Sequence, residues 1–449
     1  MFLLHDRVRR RICLTGFFLL CVLPTVVVLG WAVAWRLPGH VRAEARRIGW
    51  QLGMDLSLGG VEHRRPGAVR LTNVVLRDCE SPEAVLQCPR LDAEWRTVTD
   101  KSGASRRVLM LQAGTIAVDA ARMTTLGKLA RRLFELRAGN VDVDVRLAVE
   151  TVEVGSGGQS EQFTKVHGAM QTLESGTEGW IEFRETGQQM TRPAWLRLGR
   201  NRHVGPPGDW FDLNTGGAAL PCGLLGQGIR PMKSLGANAR FRGYLCATST
   251  ATGWQGGIWP CRPEDPPCEF LDVELDRLIT DRFPHVLSGT ASVQLRQAVV
   301  REGRIEQVEG SVLANHGTIS PSLVKAAVEH LGLQQGAEPV SGDTPIHFAR
   351  LACRFRLDRN NGLRIRGGLD DTEPEPVLVG RQGWLLGPTV RSCSAVAVIR
   401  AMVPDSTVLV PATPQTDWLA PYLPTPEIAP AAARERSRLA TDEHETVHR

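Results

Sequence analysis

Two short patterns in this chain of 449 residues have the residue types and spacing of catalytic sites. His444-Glu445-Thr446-Val447-His448 matches H-E-x-x-H, which on a helix sets two imidazoles one turn apart with a glutamate able to act as base on a zinc-bound water. The match sits beyond a Pro-rich stretch, one residue before the last, and leaves no chain for a downstream third ligand. A catalytic zinc needs three protein ligands and a packed outer shell. Ser322-Leu323-Val324-Lys325 matches S-x-x-K, a nucleophile–lysine pair, but no Lys-Thr-Gly or Ser-Asp-Asn accompanies it, and the first turn of an amphipathic helix accounts for it. There is no G-x-S-x-G, phosphate-binding glycine loop or dinucleotide fingerprint. His63, His167, His203, His285, His316 and His347 stand far apart in sequence. The expectation is no catalytic residue, no metal ligand, no cofactor and no enzymatic activity.

The ten cysteines include no C-x-x-C and no zinc-finger spacing. Cys13 and Cys21 fall in the first apolar run. Cys79 and Cys88 flank Ser81-Pro82, and Cys261 and Cys268 flank a Pro-rich turn. Each pair could close a disulfide in an oxidising compartment, or remain two thiols. Of the 53 basic residues only five are Lys, leaving 48 Arg, and these are scattered among the acids to a formal net charge of +5. A nucleic-acid binder concentrates its cations in a stripe, so no nucleic-acid partner is expected. A hydrophobic share of 42% with 22% charged residues excludes both a disordered chain and a wholly membrane-embedded one.

The elements begin with Ile12–Trp35, which carries no charge. About 24 residues at 1.5 Å each span roughly 36 Å, enough to cross a bilayer's hydrocarbon core. Pro24 is tolerated in such a helix, and Trp31 and Trp35 fall at an interfacial position. Ala32-Val33-Ala34 also reads as a signal-peptidase site, but the run exceeds the 7–15 residues of a signal core, so a retained anchor is expected. Arg7, Arg9, Arg10 and Arg11 precede the span while Arg36, Arg42, Arg46 and Arg47 follow it, so orientation rests on the usual arrangement of one N-terminal span. That arrangement is single-pass in the inner membrane with the bulk of the chain in the periplasm.

Strand patterns with intervening turn residues follow. In Val141–Glu150, Val141, Val143, Val145, Leu147 and Val149 alternate with mostly charged residues, a strand with one apolar face. Val152 and Val154 fall on the opposite parity, which predicts a bulge or turn near Glu150-Thr151. Helices are few: one from Thr124/Thr125 to Arg137, and one over 321–331 with Ser320 as N-cap, Pro321 as first residue and Gly332 as stop. The organisation expected is a head at 1–11, the anchor at 12–35, an N-terminal β module at 36–200, Gly/Trp-rich loops and hairpins at 201–270, a C-terminal β module at 271–400 with its helix at 321–331, and a Pro-rich disordered tail at 401–449.

An anchor followed by strand, Pro-Gly turn and strand (PGAVRLTNVVLRD) resembles the opening of AsmA-like envelope proteins. Leu287–Leu333, with amphipathic strands, a hairpin at Glu302-Gly303 and a short helix, is similar to their C-terminal region. The likeness covers about half of the chain and rests on pattern. It implies a mainly β fold, an extended, twisted, mostly antiparallel sheet curled into a groove, whose apolar inner face carries lipid acyl chains in envelope biogenesis or maintenance, such as outer-membrane biogenesis. The residues alone leave two ways to bury an apolar sheet face, a closed sandwich or a groove sheltering an apolar ligand. In the groove, Val141, Val143, Val145, Leu147, Val149, Val293 and Leu295 are the expected lining and membrane lipids the expected partners. The sandwich makes the chain a structural or interaction protein that holds an envelope partner at the membrane surface.

Overall fold

In the computed structural model the described residues are 6–34, 38–99, 103, 105–136, 143–156, 159–173, 176–187, 192–201, 208–225, 232, 234–250, 253–260, 267–302, 304–337, 342–359, 362–369, 375–403, 419 and 423. The protein is mainly β, 55% strand and 24% helix. It divides into two compact units, Met1–Gly187 and Gln188–Arg449.

The first unit opens on α1 (Asp6–Phe17), a π-helical turn (Phe18–Val22) and α2 (Leu23–Ala34). Pro24 lacks the N–H that would continue the regular ladder. The π turn ahead of it and the Thr25 hydroxyl, which donates to the Cys21 carbonyl at 2.6 Å, take up the disturbance. Arg10–Gly30 is long and apolar enough to cross a membrane, and none of it is buried. Trp35 and the side chain of Trp31 lie outside the described residues.

After α3 (Pro38–Leu52), eight strands follow: β1 (Asp55–Ser57), β2 (Gly60–Arg65), β3 (Ala68–Arg77), β4 (Ala84–Thr99), β5 (Ser105–Asp119), β6 (Val143–Ser156), β7 (Gln159–Leu173) and β8 (Gly176–Glu185). β1 and β2 both pair with β3, and β3 to β8 then pair in chain order. All these pairs are antiparallel except β5–β6, whose connection runs through α4 (Met123–Leu136). A parallel pair cannot be joined by a tight turn and needs such a crossover. The β2–β3 turn uses Pro66 and Gly67, the latter at φ +80°, as a type II turn requires.

The second unit contains β9 (Ala194–Asn201), β10 (Gly208–Asn214), β11 (Leu220–Pro221), β12 (Arg240–Arg242), β13 (Tyr244–Thr250), β14 (Gly253–Ile258), β15 (Cys268–Glu274), β16 (Leu287–Arg301), β17 (Arg304–Ile319), β18 (Leu333–Gln335), β19 (Ile346–Asp358), β20 (Gly362–Gly367), β21 (Leu378–Gly380) and β22 (Trp384–Thr389). β9, β10, β13 and β14 pair in succession up to one half of β16, while β11, β12 and β15 pair up to its other half. On the far side β17 and β19 follow, then β20 and β21 share the outer side of β19, and β22 links β21 to β18. All these pairs are antiparallel. The 201–270 stretch thus supplies short strands joined to the same sheet as β16.

The helix read at 321–331 is α5 (Pro321–Leu331): the Ser320 hydroxyl accepts from the Leu323 N–H and Gly332 closes it at φ +68°. It packs on α6 (Ala395–Met402), so the start of the stretch expected as tail is helical. The buried His285 ties the pair together, one ring nitrogen 3.0 Å from Ser322 Oγ and the other 2.9 Å from the Ala401 carbonyl. Cys79 and Cys88 carry separate thiols, the buried Cys268 sulfur accepts from the Tyr244 N–H at 3.3 Å, and Cys261 lies outside the described residues.

Candidate functional site

The registers of the first unit place its side chains in transverse rows. One row on a single face is Val61, Leu71, Leu91, Ala113, Val149 and Val166. The next, two residues along each strand, is Val69, Ala93, Leu111, Leu147, Gly168 and Ile181. A third contains Trp95, Leu109, Val145 and Met170. The intervening rows point the other way and are mostly polar, as in Arg70, Asp92, Gln112, Ala148, His167 and Glu182. There Arg70 grips Asp92 through Nε and Nη2 at 2.6 and 3.1 Å, and a hydrogen bond from Arg96 lowers the Glu94 carboxyl from its ordinary range. One face is therefore an apolar wall, and the other carries most of the charges, with Arg70 and Val108 buried among them.

The parity change read at Glu150-Thr151 is a transverse crease. The apolar positions shift from odd to even in the same zone of neighbouring strands: from Val69 and Leu71 to Val74 and Leu76, from Leu109, Leu111 and Ala113 to Ile116 and Val118, and from Val145, Leu147 and Val149 to Val152 and Val154. The β5–β6 and β6–β7 registers are the same on both sides of it, so these strands take up the extra residue together. Asn73 in β3 and Lys165 in β7 do so with left-handed backbone, φ +47° and +53°. A ring contact shows that the wall continues across the crease. Phe163 meets Phe183 edge-on at 5.2 Å, and Phe183 stands two residues from Ile181, which is in register with Gly168 and Leu147. A Cβ at Gly168 would make ordinary contacts with Ile181 Cγ1 at 3.5 Å and Leu147 Cβ at 3.8 Å, and its tight approach would be to the Trp180 carbonyl oxygen at 3.0 Å.

Burial is graded along the wall. Beyond the crease Val74, Leu76, Cys88, Ile116, Val154 and Phe163 are buried, and α3 and α4 pack near that end against β1, β2 and β4. Burial there pushes the Cys88 thiol above its ordinary value. At the crease Val149 is only 2% exposed. Farther along, Val69, Leu109, Leu111, Val145, Leu147, Met170 and Ile181 are all half-exposed. Trp95 ends the wall at 40% exposure, with the Arg107 guanidinium 5.1 Å from its ring centre. The open zone spans β3 to β8, five strand spacings of about 4.8 Å, or roughly 24 Å across.

Of the lining residues expected from sequence, Val145, Leu147 and Val149 share this wall. Val141 and the side chain of Val143 lie outside the described residues. Val293 and Leu295 belong to the second unit, on β16: Val293 is in register with Phe270 and Val312, and Leu295 with Cys268 and Gly310. A Cβ on Gly310 would meet Leu295 Cδ2 at 2.8 Å and Phe355 Cζ at 3.2 Å, so those two side chains close over the glycine on one face. Sequence reasoning missed Leu109, Leu111, Met170 and Ile181, whose strands alternate less cleanly than β6. Ser322 stands in the first turn of α5, hydrogen-bonded to Ser320 and His285. The H-E-x-x-H match lies outside the described residues, and among the described residues no cluster of His, Cys, Asp or Glu could hold a metal.

The graded burial sets apart two changes on one strand. Val149→Asp should bury an unpaired carboxylate and destabilise the first unit by several kcal/mol. Val145→Asp, whose carboxylate can hydrate, should cost about 1 kcal/mol. Thermal unfolding of the two variants checks the difference, and equal losses would mean that the wall is closed at Val145. No family model matches the chain, nor does any curated protein or solved structure, so the role of the wall rests on its own geometry.

Proposed function

We propose that the protein is a membrane-anchored lipid-binding protein whose first unit holds acyl chains against the apolar wall of β3 to β8. The observation that carries this reading is the half-exposed zone around Leu109, Leu111, Val145 and Leu147, contiguous on one face of the sheet. Apolar side chains of this number in water are unfavourable by about 25 cal/mol per Å² left uncovered, and an acyl chain is a flexible cover of matching chemistry. The N-terminal helix supplies a means of holding the wall at a bilayer, the source of such chains. The AsmA-like pattern points the same way, to acyl-chain handling in the cell envelope with the body on the periplasmic side of the inner membrane.

Lipid mass spectrometry on the full chain purified in detergent tests the binding. Wild type should carry phospholipid in stable proportion, and Val145→Asp, with its fold kept, should lose most of the excess over what the anchor retains. Equal lipid in both would leave the wall without an acyl ligand and favour a role in holding a protein partner. Placement is tested separately through the exposed Cys79. A membrane-impermeant maleimide should label it in intact spheroplasts, and labelling only after lysis would put the body in the cytoplasm.

A further inference from the structure

α3 begins close behind the apolar span. Only residues 35–37 separate Ala34, the end of α2, from Pro38, the first residue of α3. Four residue steps reach at most about 14 Å, so α3 starts beside the headgroups of whatever bilayer the span crosses. Its inner side is fixed: Ala45 and Gly49 are buried and Val41, Ile48 and Leu52 half-buried where it packs on β1 and β2. The outer side carries Arg42, Arg46 and Trp50, four residues apart and therefore on one ridge, and all three are exposed. Trp50 is 85% exposed, more than any other large apolar side chain among the described residues, those of the span included. The charge there is positive. α3 has three arginines and one acid, Glu44, which accepts a 3.0 Å hydrogen bond from Arg47 Nε. The connection Trp35-Arg36-Leu37 adds a cation and no acid. On the strands beneath, Asp55 lies 3.9 Å from Arg77, and β2 carries two arginines to one acid, Glu62. Beside Trp50 a hollow of about 390 Å³ is lined by Lys128 and Arg132 of α4 and by Asp78 and Glu80, which match in number, so the excess charge is that of α3.

We infer that the outer side of α3 seats on the headgroups of an anionic bilayer, with Arg42 and Arg46 against lipid phosphates and Trp50 in the interface. Guanidinium forks match phosphate oxygens, and an indole has an apolar body with a polar N–H, which suits the boundary between water and lipid. A helix face of this kind binds through both buried apolar area and attraction to anionic lipid. A helix that continued the span upright would carry Trp50, twelve residues on from Pro38, about 18 Å farther from the bilayer and leave it in water. Lying along the surface, α3 brings both arginines and Trp50 to headgroup level and makes the helical end of the first unit a second membrane contact. The inference rests on the membrane-anchored part of the proposed function and is independent of acyl binding at the wall.

The test uses the full chain in nanodiscs of phosphatidylcholine, with or without phosphatidylglycerol. A fluorescent amino acid replaces Trp50 or, in a separate protein, the exposed Leu20 of the span. Spin-labelled lipids quench it from the headgroup level or from deep in the acyl layer. Position 20 should be quenched by the deep label in both discs. Position 50 should be quenched by the headgroup label, about threefold or more strongly with phosphatidylglycerol than without. Arg42→Gln/Arg46→Gln should lower that quenching to the phosphatidylcholine level while position 20 keeps its own. High salt should do the same with the arginines in place, a readout that does not depend on how the variant folds. Deep quenching at position 20 with none at position 50 would overturn the seating of α3 and leave the anchor intact. No quenching at position 20 would overturn the anchor, and the inference with it. Quenching at position 50 that ignores phosphatidylglycerol, salt and the arginines alike would overturn the electrostatic seating.

Discussion

The first unit depends on one constraint: a single sheet with one apolar face cannot leave that face in water. From β3 to β8 the sheet places aliphatic rows on one side and most of its charges on the other, and among the described residues α3 and α4 pack near one end. The crease is what makes so long a wall possible. A strand's inherent period of two would carry an apolar pattern across a one-residue slip onto the wrong face. Neighbouring strands that take up the extra residue in one zone keep the pattern on one side while their registers stay intact. The local cost appears at Asn73 and Lys165, held in backbone that non-glycine residues rarely adopt.

Much of this was legible in the sequence because it is local. The alternation of Val145, Leu147 and Val149, the N-cap and stop of the helix at 321–331, and the Glu302 turn between β16 and β17 each reflect a propensity or pattern within a few residues. What was not legible depends on pairing between distant segments. A parity change at Glu150 reads equally as a turn or a bulge, and only the registers with β5 and β7 show a shared crease. The parallel β5–β6 pair follows from the crossover through α4, which periodicity does not report. His285 looked like one scattered histidine, yet it joins the start of α5 to the Ala401 carbonyl more than a hundred residues later. Arg354, Arg356, Arg364 and Arg366 likewise alternate unremarkably along β19 and β20, and only the ladder sets them opposite one another.

The two units therefore offer different chemistry, each described on its own sheet. The first has an apolar wall grading from buried at Val149 to half-exposed at Val145, ending at the Trp95–Arg107 contact. Tryptophan with a wet edge and an apolar body is suited to such a boundary. The second has a cleft on the face of β17, β19 and β20 that carries Ser311, Arg354 and Arg366.

The central claim is that the open wall touches acyl chains and the face behind it does not. Leu147 and Ala148 are neighbours on β6 whose side chains project to opposite faces, Leu147 in register with Leu111 and Ala148 with Gln112. A photo-crosslinking amino acid placed at each in turn, with the full chain in its native membrane, separates the two faces at a single residue's distance. The account predicts phospholipid adducts from position 147 and none above background from position 148. Equal yields from both positions, or protein adducts alone from position 147, would contradict it.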